Sequence, residues 1–323
     1  MKNKKRVLLV DALNLFMRNY IVDPSLSTNG HPIGGTKGFL KSLQSVCRTI
    51  NPDIIFVAWD GGSQKRKAID KNYKAGRKPV RLNRDIHNMT AGEQEDNRNW
   101  QQQRIIEYLN QMPILQSYVE NVEADDIIAL VSQSQALAEH HKIILSSDKD
   151  FIQLCDDTTI LYRPIQNEIL NKKRILEQYE IHPTNFALAR AIAGDKSDNL
   201  IGVGGAGLAT VAKRFPFLSE EKSYTIKELV DYAEGVDSKL KVFKNVVEGQ
   251  EIIEKNYKMM QLYSPNISAQ SAQHIRRMLY DPELNFNKSG VRAMMIEDGF
   301  GAYDWNDLFI LFKRMSVESK GES

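Results

Sequence analysis

Three unbroken apolar runs of strand length punctuate the first half of the chain: Arg6-Val-Leu-Leu-Val10, Ile54-Ile-Phe-Val-Ala-Trp59 and Lys142-Ile-Ile-Leu-Ser146. A strand with one wet face alternates apolar and polar residues, whereas unbroken runs belong to strands covered on both faces. Segments of helical period lie between them. Phe39, Leu40, Leu43, Val46, Cys47 and Ile50 recur at helical spacing, and Ile127, Leu130, Val131, Leu137 and Ala138 share a second stripe. Strand alternating with helix predicts an α/β fold, a mostly parallel central sheet flanked by helices. A fourth run, Thr159-Ile-Leu-Tyr162, reads as an edge strand.

The 323 residues suffice for one large domain with a satellite, or for two ordinary domains. After about residue 183 the texture is helical, broken by a glycine-rich turn at 202–207, so a domain change is expected near His182-Pro183. The expected layout is an α/β domain over residues 1–182, a helical subdomain over 183–315 and a flexible tail over 316–323. Residues 61–104 are polar and basic and too long for an ordinary connection, which marks a functional excursion. No apolar stretch approaches the roughly 20 residues of a membrane span, and the basic N-terminus precedes too few apolar residues for a signal core. Cys47 and Cys155 lack C-x-x-C spacing, so neither a disulfide framework nor a cysteine zinc site is expected, and a reducing cytoplasm is the default.

Chemistry enters at the strand ends. Asp11 follows the first run, Asp60 the second, and Asp148 with Asp150 the third. Carboxyl ends of neighbouring parallel strands converge on the edge where open α/β sheets bind ligands. Glu123, Asp125 and Asp126 open a helix before the third run and bring the candidate cluster to seven acids. Two like charges 4 Å apart repel by about 4 kcal/mol at an effective dielectric of 20, so such a cluster calls for cations or for protons held by raised pKa values. Oxygen ligands without His or Cys favour Mg²⁺ or Mn²⁺ over zinc, and two such ions would suit in-line phosphoester hydrolysis. Taken singly, an acid at a strand end is as readily a helix cap.

The 43 basic and 41 acidic residues nearly cancel, yet the basic ones are segregated. Between Asp60 and Arg84 stand Lys65, Arg66, Lys67, Lys71, Lys74, Arg77, Lys78, Arg81 and Arg84 against only Asp60 and Asp70. Tyr73 interrupts this run, and cations with an aromatic are the ingredients of a single-strand channel. Farther on, Gly202, Gly204 and Gly207 satisfy G-x-G-x-x-G, but the preceding Phe186 to Ala193 is helical, so the dinucleotide reading fails its context. A helix, glycine turn and helix instead present backbone N–H groups to phosphate, with Lys213 and Arg214 as candidate backing cations and Asp195 and Asp198 extending the acidic cluster. His140-His141 are expected to end a helix, and Phe309 and Phe312 to be packing residues.

These residues resemble the 5'-to-3' exonuclease and flap endonuclease family, which includes the N-terminal nuclease of bacterial DNA polymerase I and free-standing phage enzymes. The matching pieces are Leu9-Val-Asp-Ala-Leu-Asn14, Val57-Ala-Trp-Asp60, Tyr73-Lys-Ala-Gly-Arg77, Val122-Glu-Ala-Asp-Asp126, Ser147-Asp-Lys-Asp-Phe151 and Gly194-Asp-Lys-Ser-Asp-Asn-Leu-Ile-Gly-Val203, in family order. The resemblance implies that Asp11, Asp60, Glu123 and Asp125 hold a first metal, and that Asp125, Asp148, Asp150 and Asp195 hold a second, with Asp198 close by and Asp126 outside them. It implies a helical arch whose Lys74 and Arg77 contact the scissile phosphate, with Arg66 another phosphate contact and Tyr73 a base-stacking residue. The glycine turn, Gly202, Gly204, Gly205 and Gly207 included, resembles the family's helix-hairpin-helix-type DNA-binding element, which often binds K⁺. It reads Gly-Val-Gly-Gly-Ala-Gly where Gly-Val-Pro-Gly-Ile-Gly is common.

The expected function is therefore a Mg²⁺-dependent 5' nuclease removing 5' flaps or RNA primers in replication or repair by a two-metal mechanism. It would be monomeric and would act on branched or flapped DNA or an RNA-DNA hybrid. Replication proteins such as a single-strand-binding protein, a clamp or a polymerase are its expected partners, in the host cytoplasm if phage-encoded. Two rivals stand beside it: a non-catalytic DNA-junction binder on the same scaffold, and a ribonuclease on a related acidic sheet.

Overall fold

The structure, a computed structural model, describes residues 4–75 and 89–321. Its main sheet contains β1 (Arg6–Asp11), β2 (Ile54–Trp59), β3 (Leu115–Tyr118), β4 (His141–Leu145), β5 (Thr159–Arg163) and β6 (Glu168–Leu170), in the spatial order β3-β2-β1-β4-β5-β6. All neighbours are parallel except β5 and β6. The order reverses between β1 and β4, which makes the crevice above their carboxyl ends the switch point where such sheets bind ligands. The short antiparallel pair β7 (Gly194–Asp195) and β8 (Leu200–Ile201) forms a separate ladder.

The helices follow the chain as α1 (Ala12–Val22), α2 (Gly34–Ile50), α3 (Gln64–Ile69), α4 (Ala91–Asn110), α5 (Ala124–Ser132), α6 (Lys172–Tyr179) and α7 (Pro183–Ala193). Then come α8 (Leu208–Arg214), α9 (Ile226–Gly235), α10 (Lys241–Glu248), α11 (Gln250–Met260), α12 (Ala269–Tyr280), α13 (Lys288–Glu297) and α14 (Asn306–Gly321). They cover the sheet on both faces, as the unbroken strands require. Leu8, Val10, Ile55, Val57, Ile143 and Leu145 pack with α1, α2, α4, α13 and α14. Val7, Leu9, Phe56 and Ile144 point the other way, into a core shared with α5 and with α7 to α12. No helix among the described residues is long and apolar enough to cross a membrane.

Several expectations need correction. The core passes without interruption from the strands into α7 to α12, so packing shows no break at His182-Pro183; His182 instead caps α7, whose first residue is Pro183. The region 183–315 is split, since α13 and α14 return to the opposite face of the sheet. Residues 316–321 belong to α14 rather than to a tail. The stripe from Ile127 to Ala138 is broken, because α5 stops at Ser132 and a single 3-10 turn covers Gln135–Leu137. His140 and His141 end no helix: His141 opens β4.

The excursion is shorter than 61–104. Helix α4 starts at Ala91 behind a Thr90–Glu93 capping box, and Gln101 is buried against α2, where its Oε1 accepts the Thr36 N–H at 2.9 Å. Residues 91–104 therefore wall the domain. The basic residues Arg77, Lys78, Arg81 and Arg84 lie outside the described residues. Phe309 and Phe312 are buried packing residues, as expected.

Candidate active site

Asp11 ends β1 and caps α1, its Oδ1 accepting the Asn14 N–H at 3.1 Å and its Oδ2 the Ser146 hydroxyl at 2.9 Å. Across the switch point, Asp148 follows β4 and caps the 3-10 turn Lys149–Leu154, accepting the Asp150 N–H at 2.9 Å. Ser146 ties the two together, since its Oγ also accepts the Asp148 N–H at 3.1 Å, and Asn14 accepts the Ser147 N–H at 3.1 Å. Asp125, in the first turn of α5, is near enough to both that its charge helps to raise the pKa of Asp11 and of Asp148. Burial, with Asp148 and Asp125 adding to it, pushes Asp11 up to about 7. Burial raises Asp148 as well, reinforced by Asp125 and Asp198.

Basic side chains offset part of this charge. The buried Arg66 guanidinium, on α3, meets Glu123, Asp125 at 3.2 Å and Asp126 at 3.1 Å, while its Nε donates to the Met259 carbonyl at 2.9 Å. Lys74 pairs with the second oxygen of Glu123. Arg190, in the last turn of α7, bridges Asp150 at 3.0 Å and Asp195. Asp150 nevertheless stands at about 7, raised by burial and by Asp148 and Asp195. Asp126, raised by burial and Asp125, stands at about 6. For Asp195, burial is outweighed by the Ser197 hydroxyl and Arg190, and its pKa is lowered.

The expected nine-acid metal cluster is thus only partly assembled. Among the described residues no three acids, histidines or cysteines already converge as a formed cage. Glu123, Asp125, Asp126, Asp150 and Asp195 have ion-pair partners, while among the described residues Asp11 and Asp148 have none within 4 Å. Asp60 stands on the exposed rim, accepting the Gly62 N–H at 2.8 Å. The Gly61 N–H donates to the Val122 carbonyl at 2.8 Å, which holds the Asp60 loop beside Glu123. The donor chemistry of Asp11, Asp125 and Asp148 fits a hard divalent cation, and the Ser147 hydroxyl beside Asp148 is buried without a partner. Glu123 and Asp195 fit one less well, because basic groups already occupy them.

Tyr73 departs furthest from its expected role. Its ring is only 3% exposed, packed with Leu200, Met259 and Met260, and its hydroxyl donates to Glu123 at 3.2 Å. No face is open for a base, and Lys74 lies 4.8 Å from the ring centroid. Arg66 likewise serves the acids rather than facing outward. Lys74 has φ +59°, and its backbone N–H donates to the Asp198 carbonyl at 3.0 Å, tying this segment to the loop between β7 and β8. Arg77 is outside the described residues.

The glycines of the turn divide by physical demand. A Cβ on Gly202 would collide with the backbone of Ala193 and Gly194, so that glycine is required by close packing. Gly205 has φ +77°; Gly207 caps α8 and faces open space; a Cβ on Gly204 would be in ordinary contact with Asn245. Lys213 and Arg214 sit in the last turn of α8, roughly 10 Å along the axis from Gly207, and do not back the turn. Gly202→Ala is expected to cost about 2–4 kcal/mol and Gly207→Ala less than about 1 kcal/mol, measured by thermal melting.

Arg190 is the principal residue that sequence reasoning missed. Its signal was there: a single cation within Phe186-Ala-Leu-Ala-Arg-Ala-Ile-Ala193, four residues before Gly194-Asp195. Ser146 and Asn14 were invisible as partners because their roles depend on the β1–β4 register.

The raised acids also set a pH dependence. A carboxyl at about 7 in the folded protein, against an ordinary 3.8, takes up a proton on folding between those values. Stability from this group is thus greatest below about pH 4 and falls as pH rises through 7. In chelator, Asp11→Asn is expected to stabilise the protein by about 2–4 kcal/mol at pH 8 and to change little near pH 4, read from melting curves across pH.

An open parallel sheet whose switch point is crowded with carboxylates is the frame of an acid-centred nuclease. Residues 6–180 match the family model described as "5'-3' exonuclease, N-terminal resolvase-like domain", and the chain belongs to that family. It is 29% identical over 260 residues to a 5'-3' exonuclease of Buchnera aphidicola, covering 79% of this chain and 82% of that one. It is 26% identical over 264 residues to the flap endonuclease Xni of a Shewanella strain, covering 80% and 90% respectively. It spans about a quarter of the length of the bacterial DNA polymerases I that it also matches. Among solved structures, the T5 D15 protein co-crystallized with metal ions superposes with a TM-score of 0.68 at 17% identity, covering 85% of this chain and 98% of that one.

Proposed function

We propose that the protein is a structure-selective 5' nuclease, dependent on Mg²⁺ with Mn²⁺ as a substitute, that hydrolyses phosphodiesters of 5' flaps or RNA primers in replication or repair. The observation that supports this most is the mutual proximity of the charges of Asp11, Asp125 and Asp148 at the switch point, where among the described residues Asp11 and Asp148 have no ion-pair partner within 4 Å. These three are the candidates for one ion, with Asp60 and Glu123 at its edge; Asp148, Asp150 and Asp195 are the candidates for a second. Bound there, the ions would supply an activated water and neutralise the leaving oxygen.

The chain's own residues do the remaining work. Arg66 holds the α5 acids in place, and Arg190 holds Asp150 against Asp195. Lys74, paired with Glu123 and with part of its side chain exposed, is the candidate for contact with the scissile phosphate. The glycine turn offers Gly207 and Gly204 as points where a duplex backbone can approach closely.

An end-labelled 5'-flap duplex, followed with Mg²⁺ and with chelator, tests the proposal: cleavage is expected in the first and none in the second. DNA binding without any Mg²⁺-dependent product would establish the non-catalytic junction binder instead. The ion pairs of Glu123 and Asp195 are what that second reading has in its favour.

A further inference from the structure

With Tyr73 buried, the sheet's binding edge carries a different aromatic. Tyr118 is the last residue of β3, in register with Trp59, which directly precedes Asp60. Its side chain is 62% exposed, and among the described residues its ring has no aromatic or cationic partner and its hydroxyl no hydrogen bond. The position is nonetheless stiff. The Trp59 indole N–H donates to Gln116 at 2.9 Å on one side of it, and on the other the Gly61 carbonyl accepts the Asn121 N–H at 2.8 Å.

Side chains two apart on a strand share a face, so Tyr118 stands on the same side as Gln116. Gln116 donates to the Ile106 carbonyl at 3.2 Å and to the Asn110 side chain at 2.8 Å, which places α4 alongside this face. On α4, Ile106 is exposed and lies one turn before Asn110, on the stripe that faces β3. Ile106 and Tyr118 therefore stand along the same edge of the domain, which leads to the rim beside Asp60.

We propose that Tyr118, on the edge it shares with Ile106, is a stacking platform for the single-stranded 5' arm of the substrate. The inference rests on the nuclease reading above. The occupant follows from continuity: Tyr118 pairs with Trp59, directly before Asp60 at the acid-bearing edge, and single strands are held by ring faces that accept any base. A fixed backbone under an unpartnered ring is what a platform requires, because little side-chain freedom is lost when a base lands on it.

The test uses the full-length protein with flapped duplexes carrying 2-aminopurine in the 5' arm, and with otherwise identical duplexes lacking the arm. Binding is measured in Ca²⁺. Wild-type protein is expected to quench the probe, and Tyr118→Ala to lose the quench. The same substitution is expected to lower the ratio of arm-bearing to arm-less binding about tenfold, while Tyr118→Phe retains both properties. Quench and ratio unchanged in Tyr118→Ala, with wild type cleaving flaps in Mg²⁺, would overturn the platform and leave the nuclease reading standing. Wild-type protein that cleaves neither substrate would overturn both.

Discussion

Asp148→Asn is expected to lower Mg²⁺-dependent cleavage by about a thousandfold or more while the protein folds as well as before. The two halves of that expectation have separate causes. Asparagine has nearly the same shape, and its Oδ1 can still accept the Asp150 N–H that caps the following turn. The charged form of Asp148 is disfavoured by burial and by Asp125 and Asp198, so a neutral amide removes repulsion and melting in chelator should be unchanged or higher. What the amide cannot supply is the negative oxygen shared between the two candidate ion positions. Binding of flapped DNA in Ca²⁺ should survive, because contacts to phosphates elsewhere carry most of the affinity. A matched time course on one labelled flap substrate checks the first half, and full activity there would remove Asp148 from the proposed metal site.

Which parts of this arrangement could be read from the sequence follows from where the information lies. The strands β1, β2 and β4 were legible because their burial on both faces demands unbroken apolar runs. Leu115-Gln-Ser-Tyr118 was not, since an edge strand of four residues buries only Leu115 and Ser117, and one of those two is polar. The acids were legible as strand-end and helix-start residues, but their partners were not. Arg66 lies 57 residues from Glu123 and Arg190 lies 40 from Asp150, and no local period reports a pairing at that range. Tyr73 was misplaced for the same reason. Beside Lys74 it reads as an exposed aromatic in a basic run, whereas Leu200, Met259 and Met260, which bury it, come from distant elements. The helical region was legible as helices but not as layers, because which face of a sheet a helix covers is decided by chain reversal between elements, as in the return of α13 and α14.

Arg66→Met is expected to produce the largest loss of stability, about 3–5 kcal/mol, or roughly 5–15 °C in melting temperature. Arg66 is 7% exposed, and its guanidinium is the common partner of Glu123, Asp125 and Asp126. Methionine fills much of the same volume, so the loss reports charge more than cavity. Lys74 remains on Glu123, but among the described residues Asp126 keeps only the Asn266 N–H, at 2.9 Å, and it is already raised to about 6. Without the guanidinium its pKa rises further, so the deficit should be larger at pH 8 than at pH 5, where the carboxyl can take up a proton. Arg66→Lys should fall between wild type and Arg66→Met, since one ammonium cannot reproduce a planar fork reaching three carboxylates and the Met259 carbonyl. The double variant Arg66→Met with Asp126→Asn should recover part of the loss, because it removes a buried charge together with its partner. Melting of the four proteins across pH decides the point: equal deficits at both pH values, or no recovery in the double variant, would show that Arg66 stabilises the site by packing rather than by holding its acids.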